Sequence, residues 1–390
     1  MIEIKNKVEC CGCYACFQSC PVGAIKMIPD EEGFLYPKVD TQRCINCGKC
    51  EKVCPEFIPE SVLPVIKTYA AYRKNFGKRL KSSSGGIFTV LAEFVLRKNG
   101  VVFGAAFDKD WRLKHCAVNS IDELHNLQGS KYLQSVIGTA FQAVEKYLEC
   151  GKIVLFSGTP CQIQGLKKYL GKDNPNLITI DLICHGVPSQ EIWRAYLQEI
   201  SKGRKLQKLQ FRDKSRGIKD APLIFKFNNG DVLTEKYSEN LYIKGFIRNL
   251  YLRPSCYKCR FKGADRCSDF TLGDFWGIEN IKPDFSDQYG ISAVMIHSEK
   301  AQKIFMSIKS EIVTVHSTVE QVAAENPCLY FSADLNPNRQ KFFEIQRQIG
   351  IIKSVKKLLR PTKKEYVLEK TNQLIYYMWI MKKKILNMRR

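Results

Sequence analysis

Two stretches of sequence, CCGCYACFQSCP at 10–21 and CINCGKCEKVCP at 44–55, carry the same cysteine spacing. Each contains C-x2-C-x2-C-x3-C followed by proline, a pattern typical of thiolate ligands to 4Fe-4S clusters. Three closely spaced cysteines can wrap three corners of one cubane, but the fourth lies too far along the chain to follow. The spacing therefore predicts two clusters and a protein that handles single electrons.

In bacterial two-cluster ferredoxins, which share this pattern, the last cysteine of each run ligates the other cluster. We assign Cys10, Cys13, Cys16 and Cys54 to the first cluster and Cys20, Cys44, Cys47 and Cys50 to the second. This exchange joins the two halves of a segment of about 60 residues that has little core of its own. The alternatives are disulfides and zinc sites. A structural zinc site would use four ligands in two pairs. Cys11 has no place in the pattern and is interpreted as structural, with competition as a ligand as the alternative.

Composition limits the class of protein. The chain has 390 residues, 45% of them hydrophobic, which is enough for two or three domains with a sizeable core. Its 17 cysteines and an N-terminus without an apolar signal segment predict a reducing, cytoplasmic location.

The formal charge is +22, of which two or three clusters would offset roughly 4 to 6 units. No helix-turn-helix, zinc finger or aromatic-rich RNA motif accompanies this charge, so no nucleic-acid partner is expected.

Residues 336–390 are rich in lysine and arginine and predict a basic helical tail. The apolar stretch LIYYMWIM at 374–381 is far too short to span a bilayer. We weigh two interpretations: a helix docked on the body with a solvated basic face, and peripheral contact with the inner face of the membrane.

The middle of the chain, residues 66–335, predicts a second domain after the ferredoxin domain at 1–60. Strands alternate with helices up to about residue 200, and a meander with a turn at Asn229-Gly230 follows. Two successive strand-to-helix units place Cys161 and Cys184 at carboxyl ends of strands, where ligands collect in parallel sheets. The predicted fold class is α+β, with a small dicluster ferredoxin domain fused to a mixed α/β module.

Cys256 and Cys259 form a C-x2-C pair, which is half of a metal site. Cys161 and Cys184 are the best candidates to complete a third 4Fe-4S site, and Cys267 is the rival. A zinc site and no metal at all are the alternatives. Three further cysteines are interpreted as buried bystanders: Cys116, Cys150 and Cys328.

Five motifs then resemble one family, the beta subunit of coenzyme F420-reducing hydrogenase and its dehydrogenase relatives, over roughly residues 66–300. They are SSSGG at 82–86, GSKYLQS at 129–135, FSGTPCQIQGL at 156–166, DLICHGVPS at 181–189 and CYKCRFKGADRCSDFTLGDFWG at 256–277. The resemblance implies an FAD module that exchanges hydride with a two-electron carrier and passes electrons singly to iron–sulfur clusters. No G-x-G-x-x-G motif is present, so a Rossmann fold is not expected.

Carried over from this resemblance, the flavin contacts are Ser84, Gly85, Gly86, Ser130, Lys131, Tyr132, Gln134, Thr159 and Gln162. Lys131 is expected to face the pyrophosphate or N1 of the reduced flavin, and His185 to donate a proton, with a structural hydrogen bond as the alternative for His185. Ordinary helix capping is the alternative for the serines and glycines at 82–86. The carrier is expected to be coenzyme F420, a nicotinamide, another flavin or ferredoxin, and the acceptor a redox partner protein or an organic substrate. The competing functions are a non-enzymatic electron-transfer subunit and an accessory protein of polysaccharide biosynthesis.

Overall fold

The N-terminal segment consists of one hairpin and two one-turn helices. The computed structural model describes residues 1–59 and 61–360. Strands β1 (Ile25–Pro29) and β2 (Leu35–Val39) pair antiparallel. Helices α1 (Ala15–Gln18) and α2 (Lys49–Lys52) each follow a residue in the left-handed region, Tyr14 at φ 69° and Gly48 at φ 70°. Both cysteine runs thus turn back sharply just before a short helix.

The rest of the chain is built on an eight-stranded mixed sheet and a separate three-stranded antiparallel sheet. The strands are β3 (Lys67–Arg73), β4 (Val101–Phe107), β5 (Leu113–Val118), β6 (Val154–Ser157), β7 (Leu177–Leu182), β8 (Leu206–Gln210), β9 (Leu223–Phe227), β10 (Val232–Glu235), β11 (Phe270–Asp274), β12 (Ser292–Ile296) and β13 (Ile312–Ser317). The order in the large sheet is β13-β3-β12-β11-β7-β6-β4-β5, and the small sheet has the order β10-β9-β8.

Four neighbouring strands of the large sheet, β4, β6, β7 and β11, run parallel. Their carboxyl ends therefore lie at the same edge of the sheet, which we call the carboxyl edge. Antiparallel strands flank this parallel centre on both sides. Cys161, in the first turn of the helix that follows β6, and Cys184, in the loop that follows β7, therefore lie at the carboxyl edge.

Helices cover the sheets and connect the strands. They are α3 (Phe76–Leu80), α4 (Ile87–Arg97), α5 (Ala140–Glu149), α6 (Pro160–Leu170), α7 (Gln190–Ser201), α8 (Leu241–Ile247), α9 (Ile278–Ile281), α10 (Glu299–Ser307), α11 (Val319–Ala323), α12 (Arg339–Ile349) and α13 (Ile351–Leu358). Several begin at caps visible in the sequence: Thr159 and Gln162 form a capping box on α6, and Ser189 accepts from Ile192 N on α7.

The N-terminal segment shares its cores with the rest of the chain. Phe34 packs with the small sheet and α7, while Cys11, Tyr14 and Ala15 pack against α5 and α6. In addition, a Cβ on Gly165 of α6 would lie 2.7 Å from Cys13 Cβ, so only glycine allows α6 to approach the cysteine loop this closely. The predicted fold class, a dicluster segment fused to a mixed α/β module, is confirmed.

Some local predictions need correction. The sequence pattern predicts no strand at 312–317, where the structure has β13. Cys150 is exposed at the end of α5 rather than buried, and Cys116 and Cys328 are half-buried.

The first part of the predicted tail packs against the body of the protein. Phe342 of α12 and Val355 of α13 are fully buried in the core that contains the small sheet. The stretch 374–381, with the rest of 361–390, lies outside the described residues. Within residues 1–59 and 61–360, no helix combines the length and the apolar character needed to cross a membrane.

Candidate functional site

The eight cysteines of the N-terminal runs surround two cavities. Cys10, Cys13, Cys16 and Cys54 line one, and Cys20, Cys44, Cys47 and Cys50 line the other. These are the two groups of four that the ligand exchange between the runs predicts. The first cavity is buried against the module, whereas Cys47 at the second cavity is exposed.

A third cavity lies between the N-terminal segment and the carboxyl edge, and its lining includes Cys161, Cys184, Cys256 and Cys259. Cys161 comes from the first turn of α6, Cys184 from the loop after β7, and the other two from a 3-10 helix at Pro254–Lys258 and its C-cap. Glycine at position 186 leaves room for Cys256, because the Cβ of any other residue there would lie only 3.3 Å from Cys256 Cβ. Cys267, the rival ligand, does not line this cavity and packs in the core with α5 and α6.

Cys11 lines both the first and the third cavity. Interaction with the Cys11 thiol holds the pKa of the Cys161 thiol below its usual value. Burial raises the pKa of Cys256 to about 12 and that of Cys259 to about 11. Free thiols at these positions would stay protonated, so thiolate ligation there requires the charge of a metal centre.

Positive side chains surround the third cavity. Arg253, Lys262 and Arg266 all line it. Lys262 Nζ donates to the carbonyls of Cys184 (2.5 Å) and Cys328 (2.8 Å), which fixes the ammonium beside a cysteine loop. Such charges suit an anionic group in the cavity.

Among residues 1–59 and 61–360, no three His, Cys, Asp or Glu side chains converge closely enough to hold a single metal ion.

The residues predicted to contact flavin fall into two groups. Gln134, Thr159 and Gln162 line the third cavity. The motif at 82–86 meets the start of the motif at 129–135, where Ser83 Oγ lies 3.1 Å from Ser130 Oγ. The last residues of the second motif, Leu133, Gln134 and Ser135, line the third cavity, so this motif extends from the serine contact to the cavity.

Close contacts give several of these residues structural roles. Ser84 Oγ donates to Ile291 O at 2.8 Å, and Gly85 N donates to Ser292 Oγ at 3.0 Å. Gly86 lies at φ 84° at the start of α4. Lys131 Nζ donates to the carbonyls of Leu127, Gln128 and Gly129 at the end of the 3-10 helix, and burial lowers its pKa to about 8.

His185 lies beside Cys184 and lines the third cavity. Its ring stands edge-on to Phe246, with 5.0 Å between the ring centroids, and its Nε2 has no hydrogen-bond partner. Burial lowers the pKa of His185. Burial thus favours the neutral form of the ring, and Nε2 is the nitrogen without a partner.

Sequence reasoning missed a group of side chains near the SSSGG loop. Lys214 is buried below this loop and donates to the carbonyls of Arg79 and Ser84, and burial lowers its pKa to about 7. Arg212 pairs with Asp274 at 2.7 Å and covers the ring of Trp276 at 5.4 Å. Trp276 (39% exposed) and Leu182 (44%) follow or end strands at the carboxyl edge. Leu182, Asp274 and Trp276 lie within the motifs at 181–189 and 256–277, whereas Arg212 and Lys214 lie outside every motif and join them only through the tertiary structure.

The arrangement at the carboxyl edge has the chemistry that a flat cofactor with a polar rim requires. Apolar surface from Leu182 and Trp276 lies at the ends of adjacent strands, and the guanidinium of Arg212 lies over the indole. The hydroxyls of Ser83 and Ser130 lie nearby in the loop above Lys214. These side chains have the polarity that the rim of a flavin needs, while three of the predicted contacts, Ser84, Gly85 and Lys131, make hydrogen bonds within the protein itself.

Comparisons with known proteins agree with the two-part structure. Residues 151–321 match a family model for the C-terminal part of the beta subunit of coenzyme F420 hydrogenase/dehydrogenase, and residues 9–58 match a model for a 4Fe-4S dicluster domain. The coenzyme F420-dependent sulfite reductase of Methanocaldococcus jannaschii is 29% identical over 171 residues, which cover 43% of this chain and 26% of that protein. This chain thus spans about a quarter of that relative's length.

A ferredoxin of Alicyclobacillus acidocaldarius is 36% identical over 67 residues, which cover 15% of this chain and 80% of the ferredoxin. A chain of the F420-reducing [NiFe] hydrogenase complex from Methanosarcina barkeri aligns with a TM-score of 0.47 at 17% identity, covering 76% of this chain and 91% of that chain.

Fold and site define an iron–sulfur protein related to F420-linked oxidoreductases. More particularly, the chain carries a domain of the coenzyme F420 hydrogenase/dehydrogenase beta-subunit family behind a 4Fe-4S dicluster domain. Both parts of the resemblance seen in the sequence are confirmed.

Proposed function

We propose that the chain is an iron–sulfur flavoprotein oxidoreductase that accepts hydride from a two-electron carrier and delivers the electrons singly. One observation carries this proposal: the three cysteine cavities follow one another, with Cys11 lining both the third and the first. Electrons would pass from the third cavity to the first and leave through the second. The exposed Cys47 makes the second cavity the natural exit.

The third cavity is proposed to hold a 4Fe-4S cluster on Cys161, Cys184, Cys256 and Cys259. Support comes from four thiols around one cavity and from the nearby cations Lys262 and Arg266. Zinc would require its ligands to converge on a single ion. A cubane instead holds its thiolates at separate corners, which suits cysteines distributed around a cavity.

FAD is proposed to bind at the carboxyl edge between the motifs at 82–86 and 129–135. When bound, it would convert between hydride transfer and single-electron transfer, which neither clusters nor side chains can do alone. A hydride carries two electrons and one proton, so the clusters would take the two electrons in succession and a base or water would take the proton. Ser83, Ser130 and Tyr132 would orient the cofactor, and Arg212 would provide positive charge beside it.

Roles for the predicted catalytic side chains follow from their positions. Lys131 lies next to Ser130 and would place its charge at the rim of the flavin site once its carbonyl contacts loosen. His185 would exchange a proton at the third cavity through its unpartnered Nε2. Gln134, Thr159 and Gln162 would line the path between the flavin and the cluster.

Coenzyme F420 is the proposed carrier because the family model and the sulfite reductase relative both name it. A nicotinamide, another flavin and ferredoxin are the competing donors, and the acceptor is a redox partner protein or an organic substrate. A cytoplasmic location belongs to the same proposal.

The proposed function can be tested with protein that is reconstituted and reduced in the absence of oxygen. The reconstituted chain should contain about 12 irons and one FAD, and the flavin absorbance should bleach with reduced coenzyme F420 faster than with NADH, reduced flavin or dithionite. Cluster absorbance should then fall in a slower phase. Failure of every carrier to outpace dithionite would contradict hydride input. A flavin-free chain with intact clusters would instead favour the non-enzymatic electron-transfer subunit.

A further inference from the structure

Arg253 lies in the wall between the first and the third cavity. Its side chain is 1% exposed, and it lines the third cavity. On the other side, Nε donates to Cys10 O at 2.7 Å and Nη2 lies 3.5 Å from Cys10 Sγ. The guanidinium thus contacts a ligand of the first cluster and faces the thiols of the third.

The remaining contacts of Arg253 are neutral. Nη2 donates to Leu35 O at 3.0 Å, and Nη1 donates to Gln134 Oε1 at 3.0 Å. The aromatic rings of Tyr36 and Phe34 lie 4.4 and 5.5 Å from its Cζ. In the described part of the chain, no carboxylate lies within ion-pair distance of Arg253.

A buried cation without a counter-charge is strongly unfavourable. Glu56 also lines both cavities, but it makes no ion pair with Arg253. Cys10 Sγ lies 3.5 Å from Nη2 on one side, and the thiols of the third cavity lie on the other. The negative groups available to balance Arg253 are therefore cysteine thiolates on both sides.

We propose that Arg253 is the shared counter-ion of the first and third clusters and that its charge raises the reduction potentials of both. The part that concerns the third cluster rests on the proposed function. Each electron makes an anionic cluster more negative by one unit, so a cation beside it stabilises the reduced form. Because the site is buried, water screens this attraction little.

Arginine suits this position better than lysine. The guanidinium fork donates in three directions at once, to Cys10 O, Leu35 O and Gln134. Gln134 in turn donates through Nε2 to Cys11 O at 2.8 Å. Arg253 therefore also fixes the backbone of the cysteine loop that separates the two cavities. Glycine at position 12 leaves room for the guanidinium, because the Cβ of any other residue there would lie only 2.8 Å from Arg253 Nη1.

The test is a redox titration of the holoprotein followed by electron paramagnetic resonance. In Arg253→Gln, the equilibrium for reducing the first and third clusters should weaken at least tenfold, or about 59 mV for a one-electron couple. Arg253→Lys should show a smaller shift. The second cluster, which Arg253 does not contact, is an internal control and should keep its potential. Arg43→Gln changes an exposed arginine that donates to Val22 O beside the second cavity, and it should leave the first and third clusters unchanged.

Because Arg253→Gln could fail to fold, Gln134→Glu provides a second route. It keeps Arg253 but places a carboxylate on its Nη1, and it should shift the same two potentials downward. Unchanged potentials in either variant, at full iron content, would overturn the proposal. An iron count near eight in the unsubstituted chain would remove the third cluster and that part of the proposed function, while the first cluster would still decide the role of Arg253.

Discussion

The N-terminal cavities and the third cavity collect their cysteines in different ways. Each N-terminal cavity takes three thiols from one short run and the fourth from the other run. The third cavity takes its thiols from three separate segments that only the folded sheet brings together. The first kind of site can be recognised from spacing, whereas the second depends on tertiary structure.

The two regions also differ in what stabilises them. The core of the N-terminal segment consists of five buried residues, three of which are cysteines: Ile2, Cys16, Ile25, Cys50 and Cys54. The module has large cores of aromatic and aliphatic side chains on both of its sheets. Metal ligation should therefore be essential for the fold of the segment and secondary for the fold of the module.

The largest expected effect follows from Cys16→Ala. This change removes a ligand of the first cluster and a buried side chain from a core of five. Because the runs exchange ligands, loss of one cluster should destabilise the other, leaving about four irons per chain. Limited proteolysis should then cleave within residues 1–58 while the module stays resistant.

For comparison, Cys150→Ala changes an exposed cysteine and should leave both iron content and proteolysis unchanged. Loss of only four irons in Cys16→Ala, with a resistant segment, would show that the two N-terminal clusters are held independently.

A smaller effect is expected from Cys256→Ala. Iron should fall from about 12 to about 8, because only the third cluster loses a ligand. The module should remain folded, with a circular dichroism spectrum like that of the unsubstituted chain, since Cys256 is only half-buried at the margin of a large core. Cys267→Ala is the matched variant and should retain all the iron. An unchanged count in Cys256→Ala would remove the third cluster.

Gly85→Ala tests how the loop at 82–86 is fixed. An added Cβ would lie 2.3 Å from Ala71 O and 2.8 Å from Ser292 N, both backbone atoms that cannot move aside cheaply. We expect a loss of about 1–3 kcal/mol in the free energy of unfolding, measured in urea. At Gly77 the nearest atom would lie 3.8 Å away, so Gly77→Ala should have no such cost. Equal stability of the two variants would contradict this packing.

The smallest expected effect is a loss of folding stability at acidic pH. Burial lowers the pKa of His115 to about 4 from its usual 6.5, and the ring contacts Ser135 Oγ and Ser157 O. Below pH 6.5 the unfolded chain binds a proton that the folded chain binds only near pH 4, so stability falls as the pH falls through this range. Between pH 6.5 and 5.5 the loss should be about 1 kcal/mol.

His115→Asn should reduce this pH dependence, whereas a change at the exposed His125 should not. Unfolding followed by near-ultraviolet circular dichroism at several pH values would measure it. Because Ser135 also lines the third cavity, acid should weaken this cavity before the N-terminal pair. Identical slopes in all three proteins would contradict the assignment to His115.

Much of the fold was predictable from local signals. The capped helices α6 and α7, the strands that precede them and the turn at Asn229-Gly230 all lie where periodicity and caps place them. Strand β13 could not be inferred in the same way because it is an edge strand, stabilised by its pairing with β3. The roles of Ser84 and Gly85 were also hidden, since their partners Ile291 and Ser292 lie about 200 positions away.

The sequence by itself determined the two-cluster segment, because ligand spacing within one run is a local geometric property of the chain. It also identified the four cysteines around the third cavity as candidates. Only the tertiary structure decided that they share one cavity, that Cys267 lies elsewhere, and that Arg253 separates this cavity from the first. These facts depend on how distant segments pack at the carboxyl edge, and packing between distant segments leaves no periodic signal in the sequence.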